Sequence, residues 1–180
     1  ERLDTLEAGG GISEREVARL TAEEPLGLRP ELTASIARAA CTRLADRPRP
    51  LRLWAEGSTF RTFTGDGGGQ RLSERLQSGV ELLGVRSAAA DAELMALLLA
   101  CSETLGTASR LGIGLQLDPS FQPHFDLYDG IVLKLVCLGA EAPVEIASGG
   151  RYDALVGRFG AEVSEAAGVG FGFSIEDIRD

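Results

Sequence analysis

The chain has 180 residues, 44% hydrophobic, with 18 Lys and Arg against 27 Asp and Glu, a net charge of −9 at pH 7. That size suits one globular domain with a core large enough to need no disulfides. The acidic balance, with Lys134 as the only lysine, counts against a nucleic-acid partner, and no apolar run reaches the ~20 residues that span a bilayer.

Along the chain, Gly9-Gly10-Gly11 reads as a turn, and Ser13 with Glu16 as a capping box opening a helix through Leu20. Leu28-Arg29-Pro30 is a short extended piece. Ile36, Ala37, Ala40, Cys41 and Leu44 recur at helical spacing, so a helix is expected from Glu31 to about Arg47, stopped by Pro48 and Pro50. Leu51–Ala55 alternates like a strand, and a second strand begins at Phe60. Gly65–Gly69 is a hairpin loop leading to a third strand around Leu76–Leu83. An amphipathic helix is expected over Ala88–Leu105. Extended segments follow at Gly114–Leu117, Gly130–Leu138 and Val144–Ala147. A short helix near Tyr152–Phe159 and a glycine-rich strand at Val169–Phe173 complete the pattern. This order lacks the βα alternation of a doubly wound fold. It predicts a single α+β domain over residues 1–180, a mainly antiparallel sheet flanked by helices.

Cys41, Cys101 and Cys137 are far apart and form no CxxC, so neither zinc nor disulfides are expected. Each falls in an apolar stretch and reads as a small buried hydrophobe, which fits a reducing cytoplasm. His124 is the only histidine and is read as structural, and Trp54 as core or subunit interface. The Gly65–Gly69 run has no Lys-Ser/Thr, which excludes a phosphate loop of the P-loop kind. No cofactor or metal is expected.

Five motifs in order carry a resemblance. Leu28-Arg29-Pro30-Glu31-Leu32-Thr33 resembles the LRPE-x-T signature of histidyl-tRNA synthetases and their paralogues. Phe60-Arg61 resembles class II motif 2, and Gln77-Ser78-Gly79-Val80-Glu81 the QxGxE strand. Gly149-Gly150-Arg151-Tyr152-Asp153 matches GGRYD, and Gly168 through Glu176 resembles motif 3. The resemblance implies a class II synthetase catalytic-core fold and a pocket for histidine. The candidate binding residues are Glu31, Thr33, Arg61, Gln77, Glu81, Tyr128, Gly149, Gly150, Arg151 and Tyr152. Their chemistry suits such a pocket: carboxylates meet an ammonium, hydroxyls and amides read an imidazole, and glycines let backbone pass close to a ligand or take positive φ. Strand alternation puts Gln77, Gly79 and Glu81 on one face. The bland alternative is that Arg29, Glu31 and Arg151 are ion pairs holding helix ends.

Adenylate chemistry needs cations at the ATP phosphates. Arg61 matches the motif 2 arginine, but Asp177 stands where motif 3 has its arginine. Pro123, in Pro123-His124-Phe125-Asp126-Leu127-Tyr128-Asp129-Gly130, stands at another, and Phe63 replaces a glutamate. Motif 1 would precede Glu1, and no anticodon-binding domain is expected after Asp180. The segment Leu117–Pro123 and the stretch from Gly79 to Glu93 are most similar to regulatory subunits of ATP phosphoribosyltransferase. In them the helical segment usual between residues 105 and 115 is longer than here. That resemblance implies a non-catalytic chain that partners a short-form catalytic subunit in the first step of histidine biosynthesis. It also implies histidine feedback and a hetero-octamer of four chains of each kind. A divergent or truncated histidyl-tRNA synthetase is the alternative.

Overall fold

The computed structural model describes residues 27–65, 67–104, 116, 118, 121, 127–138 and 143–175. The helix expected at Ser13, most of the segment Gly114–Leu117, His124, Pro123 and Asp177 lie outside these.

Helix α1 spans Thr33–Thr42 and buries Ile36, Ala37 and Ala40, the stripe its spacing predicts. Glu31 closes its first turn, accepting from the backbone N–H groups of Thr33 and, at 3.0 Å, Ala34. The helix stops short of the expected Arg47. After Thr42 the chain tightens into turns, with Leu44 N–H donating to Ala39 O at 3.1 Å. The Arg49 guanidinium takes the freed carbonyls of Ala40 and Leu44, each at 3.2 Å. A side-chain donor thus replaces the next helical turn.

Strands β1 (Leu51–Thr64) and β2 (Gln70–Leu83) form one long hairpin, paired from Leu51↔Leu83 to Thr64↔Gln70. The two strands expected before the loop are therefore one, because every residue between Ala55 and Phe60 has a partner on β2. Gly68 takes a φ of 75° in the turn, as glycine readily does. Helix α2 (Ala88–Thr104) follows, then β3 (Val132–Leu138), β4 (Pro143–Arg151), helix α3 (Asp153–Arg158) and β5 (Gly168–Ser174). The sheet runs β1-β2-β5-β4-β3, antiparallel throughout.

Each face of the sheet has its own core. Ala90, Leu94 and Leu98 of α2 pack on Leu82, Ala147, Val169, Phe171 and Phe173, and the two phenylalanine rings meet edge to face at 5.4 Å. On the opposite face Ala37 and Ala40 of α1 pack with Leu83, Tyr152 and Val156. Trp54 is neither core nor shielded: it lies on edge strand β1, 64% exposed, its indole N–H donating to Ser78 Oγ at 2.8 Å. The three cysteines are half-buried rather than buried, Cys101 and Cys41 at the margins of the two clusters. Strand β5 pairs β2 only from Gln77 to Leu83, so the hairpin runs on past the sheet as a two-stranded ribbon. No described helix is long and apolar enough to cross a membrane.

Candidate functional site

The register puts six glycines on the face that carries α1, Gly168 among them, opposite Leu83. Gly57 stands opposite Gln77, Gly79 opposite Gly172, and Gly170 opposite both Glu81 and Gly150. Bare backbone leaves room for long polar side chains to lie flat. Arg29 covers Gly57, Gln77 covers Gly172, Glu81 covers Gly170 and Tyr128 covers Gly150, each in space that a Cβ would need. The floor is small so that the layer above it can be polar.

At the inner end, beneath α1, Glu81 is only 1% exposed. Its Oε1 accepts from Thr33 Oγ1 at 2.7 Å, and its Oε2 from Tyr152 OH at 2.6 Å. Burial pushes its carboxyl up to about 8; the Tyr152 and Thr33 hydroxyls pull it back, and the Glu31 carboxylate adds to the rise. Tyr152 is raised well above the usual phenol range by burial and by Glu81. Tyr128 is raised by burial, Glu81, Glu31 and Glu145. Hydroxyls both donate and accept, so the cluster is satisfied with Glu81 ionised or protonated. A buried carboxylate held by hydroxyls and faced by a second carboxylate favours a ligand bringing N–H donors or positive charge.

Toward the ribbon the same face opens into a groove of about 640 Å³, lined among others by Arg61, Arg75, Gln77, Glu145, Ser148 and Ser174. Gln77 Oε1 accepts from the Leu32 N–H at 3.1 Å, which ties β2 to the start of α1. Glu145 pairs with Lys134 at 2.8 Å. Burial would raise its carboxyl, but bonds to Lys134 and Ser148 and the fields of Lys134 and Arg61 outweigh that and hold it low. Ser174 Oγ is buried without a hydrogen-bond partner.

Of the sequence candidates, Glu31, Thr33, Glu81, Tyr128 and Tyr152 cluster at the inner end, while Gln77 and Arg61 line the groove. The other three differ from expectation. Gly149 and Gly150 are buried in β4 without positive φ, Gly149 against Phe171 and Gly150 beneath Tyr128, so their bare backbone serves internal packing. Arg151 grips the chain itself. Its guanidinium bonds Asp91 of α2 at 2.6 Å and Asp153 of α3 at 2.9 Å, and Asp153 also pairs with Arg86 at 2.8 Å. The bonds to both aspartates outweigh burial and raise the Arg151 pKa. Sequence reading overlooked Arg75, Ser174, Glu145 and Asp91. Counting alternate residues back from Gln77 would have found Arg75; the others depend on pairings distant in sequence.

A histidyl-tRNA synthetase family model matches residues 1–114 and 107–178. The ATP phosphoribosyltransferase regulatory subunit of Prochlorococcus marinus (strain MIT 9303) is 41% identical over 276 residues, covering 100% of this chain and 70% of that protein. That of Synechococcus sp. (strain CC9902) is 38% identical over the same shares. An alignment of 276 positions against 180 residues leaves 96 without a counterpart here. The two model matches overlap at residues 107–114, which follow α2 in the sequence. Among solved structures, apo histidyl-tRNA synthetase from S. aureus superposes with a TM-score of 0.65 at 24% identity, over 84% of this chain and 50% of that one. An ATP phosphoribosyltransferase regulatory subunit/histidyl-tRNA synthetase from Bacillus halodurans C gives 0.65 at 20%, over 83% and 63%. These two likenesses establish the shared fold. On the identities and coverage of its curated relatives, the chain belongs to the family of ATP phosphoribosyltransferase regulatory subunits, built on a histidyl-tRNA-synthetase-like core.

Proposed function

We propose that this chain is a non-catalytic regulatory subunit that activates a short-form ATP phosphoribosyltransferase in the first step of histidine biosynthesis, and that its glycine-floored face is a histidine-sensing pocket. One observation carries the pocket: the Glu81 carboxyl, fully buried, is gripped by the hydroxyls of Thr33 and Tyr152 with Tyr128 beside it. Such a group answers an imidazole N–H or an ammonium with a charge-assisted bond. Family membership supports the role, and Asp177 and Pro123 at the arginine positions of the synthetases support the loss of adenylate chemistry, since carboxylate repels phosphate.

Regulation follows if histidine binds one assembly state of the complex better than the other, a coupling of ~1–3 kcal/mol or about 5–150-fold in affinity. The partner is the catalytic chain, in a cytoplasmic complex of four and four subunits. The test is reconstitution with a short-form catalytic subunit. Phosphoribosyl transfer to ATP is expected to appear on adding this chain and to fall with histidine, with light scattering giving the mass of an octamer. No complex and no rescue, or robust histidine-dependent ATP–pyrophosphate exchange by this chain alone, would overturn the reading.

A further inference from the structure

We infer that Asp129 is a positioning residue for the closed end of the pocket, its carboxylate seating both tyrosines that stand beside Glu81. Tyr152 immediately precedes α3, where a side chain ordinarily caps the helix, but it makes no such bond. Its hydroxyl points inward instead, donating to Glu81 at 2.6 Å. The first turn is closed from another segment. Asp129 Oδ1 accepts from the Asp153 N–H at 3.0 Å, and Oδ2 from the Ala154 N–H at 2.5 Å. One tyrosine cannot both reach Glu81 and cap α3, and Asp129 takes the second task. An exposed aspartate is ordinarily solvated on both oxygens; here each meets a backbone donor 24 or 25 residues away.

The same residue fixes Tyr128. Asp129 N–H donates to the Arg151 carbonyl at 2.9 Å, and Arg151 N–H to the Ile131 carbonyl at 2.8 Å. The chain on both sides of Gly130 is thus latched to the end of β4. One residue earlier the Tyr128 ring lies over Gly150, 2.8 Å from where a Cβ would stand. Tyr128 and Tyr152, the chain's only tyrosines, therefore hang from one aspartate. Its backbone holds the first, and its carboxylate holds the helix start that follows the second. A binding pocket keeps its geometry only while bonds behind it lock its side chains, so loss of this carboxylate lets the two rings part around Glu81.

The consequence for histidine rests on the reading above, while the seating itself does not, and two measurements on the full chain tell them apart. Ultraviolet absorbance of the phenolate counts ionised tyrosines. Burial, and after it the Glu81 carboxylate, raises both phenols in the wild type, so neither should ionise at the ordinary pH of about 10. Asp129→Ala should release one phenol there. Arg86→Met removes an exposed tie to Asp153 but leaves Asp129 in place, and should release none. In the complex with a short-form catalytic subunit, Asp129→Ala should raise the histidine needed for half-inhibition about fivefold, the equivalent of a lost cap. Asp129→Asn keeps one acceptor of the two and should raise it about two- to threefold. Release of both phenols by Asp129→Ala means unfolding, and the Asn variant then decides, with no rise overturning the inference. If histidine does not inhibit the wild-type complex but Asp129→Ala alone frees one phenol, the seating stands and the histidine reading fails. The inference is overturned if Asp129→Ala leaves both phenols as in wild type, if Arg86→Met frees one equally, or if histidine inhibits wild type and Asp129→Ala alike.

Discussion

The two ends of this sheet face are built from one strand at a two-residue period, yet they have become different environments. At Glu81 the cover is protein: the carboxyl is shut away beneath α1 and Tyr152, and that burial pushes it up to about 8 against the pull of the Tyr152 and Thr33 hydroxyls. Near Gln77 and Arg75 the strand leaves its neighbour β5 behind, and the same face borders an open groove. Cover, more than residue type, sets what a polar side chain does. The closed end holds its polar groups in bonds to one another, and the open end leaves its own facing a groove.

Substitution should expose that difference most strongly at the floor. Gly170→Val puts a Cβ into the Glu81 carboxyl and within 2.5 Å of the Val80 carbonyl, where backbone cannot yield. A loss of ~3 kcal/mol or more is expected in urea unfolding. Gly172→Ala meets first the Gln77 side chain, which can shift more readily than backbone, and should cost about 1 kcal/mol. Equal losses would break the comparison.

Glu81→Gln comes next. The folded pKa of Glu81 lies above its unfolded value, so its contribution to stability is full below about 4.5 and is lost as pH rises through about 8. Wild type should therefore weaken relative to Glu81→Gln between pH 5 and 9, by on the order of 2–4 kcal/mol. A pH-independent difference would contradict the closed inner end. Arg151→Met leaves Asp91 and Asp153 without their guanidinium, and ~2 kcal/mol of stability should go, read as a lower urea midpoint. Smallest is Arg75→Ala at the exposed outer end. Stability should stay within ~0.5 kcal/mol, and a large drop in the urea midpoint would make Arg75 structural.

What was legible in the sequence was what periodicity and local chemistry encode. The alternation Gln77, Gly79, Glu81 placed three residues on one face, and the stripe Ile36, Ala37, Ala40 buried α1. What was not legible depends on contacts far along the chain. Arg151 meets Asp91 sixty residues away, so a motif arginine that resembles a ligand contact is a tie between α2 and α3. Glu31 shows the same ambiguity at short range, since its carboxylate caps α1 while its charge still reaches Glu81. The end of α1 was misjudged because the Arg49 side chain supplies donors that periodicity does not see. The core half of the Trp54 reading fails because strand order, and so which strand is an edge, is a property of the whole sheet; the other half, a subunit interface, needs just such an exposed ring.

If histidine is sensed at the closed end, Glu81 must set the sensitivity of the complex. The direct measurement is histidine inhibition of phosphoribosyl transfer by the complex of this chain with a short-form catalytic subunit, comparing wild type with Glu81→Gln. Both complexes should assemble and transfer at similar rates without histidine, and the Gln variant should need at least tenfold more histidine for half-inhibition, the loss of one charge-assisted bond. Unchanged inhibition by histidine in the Glu81→Gln complex would contradict it.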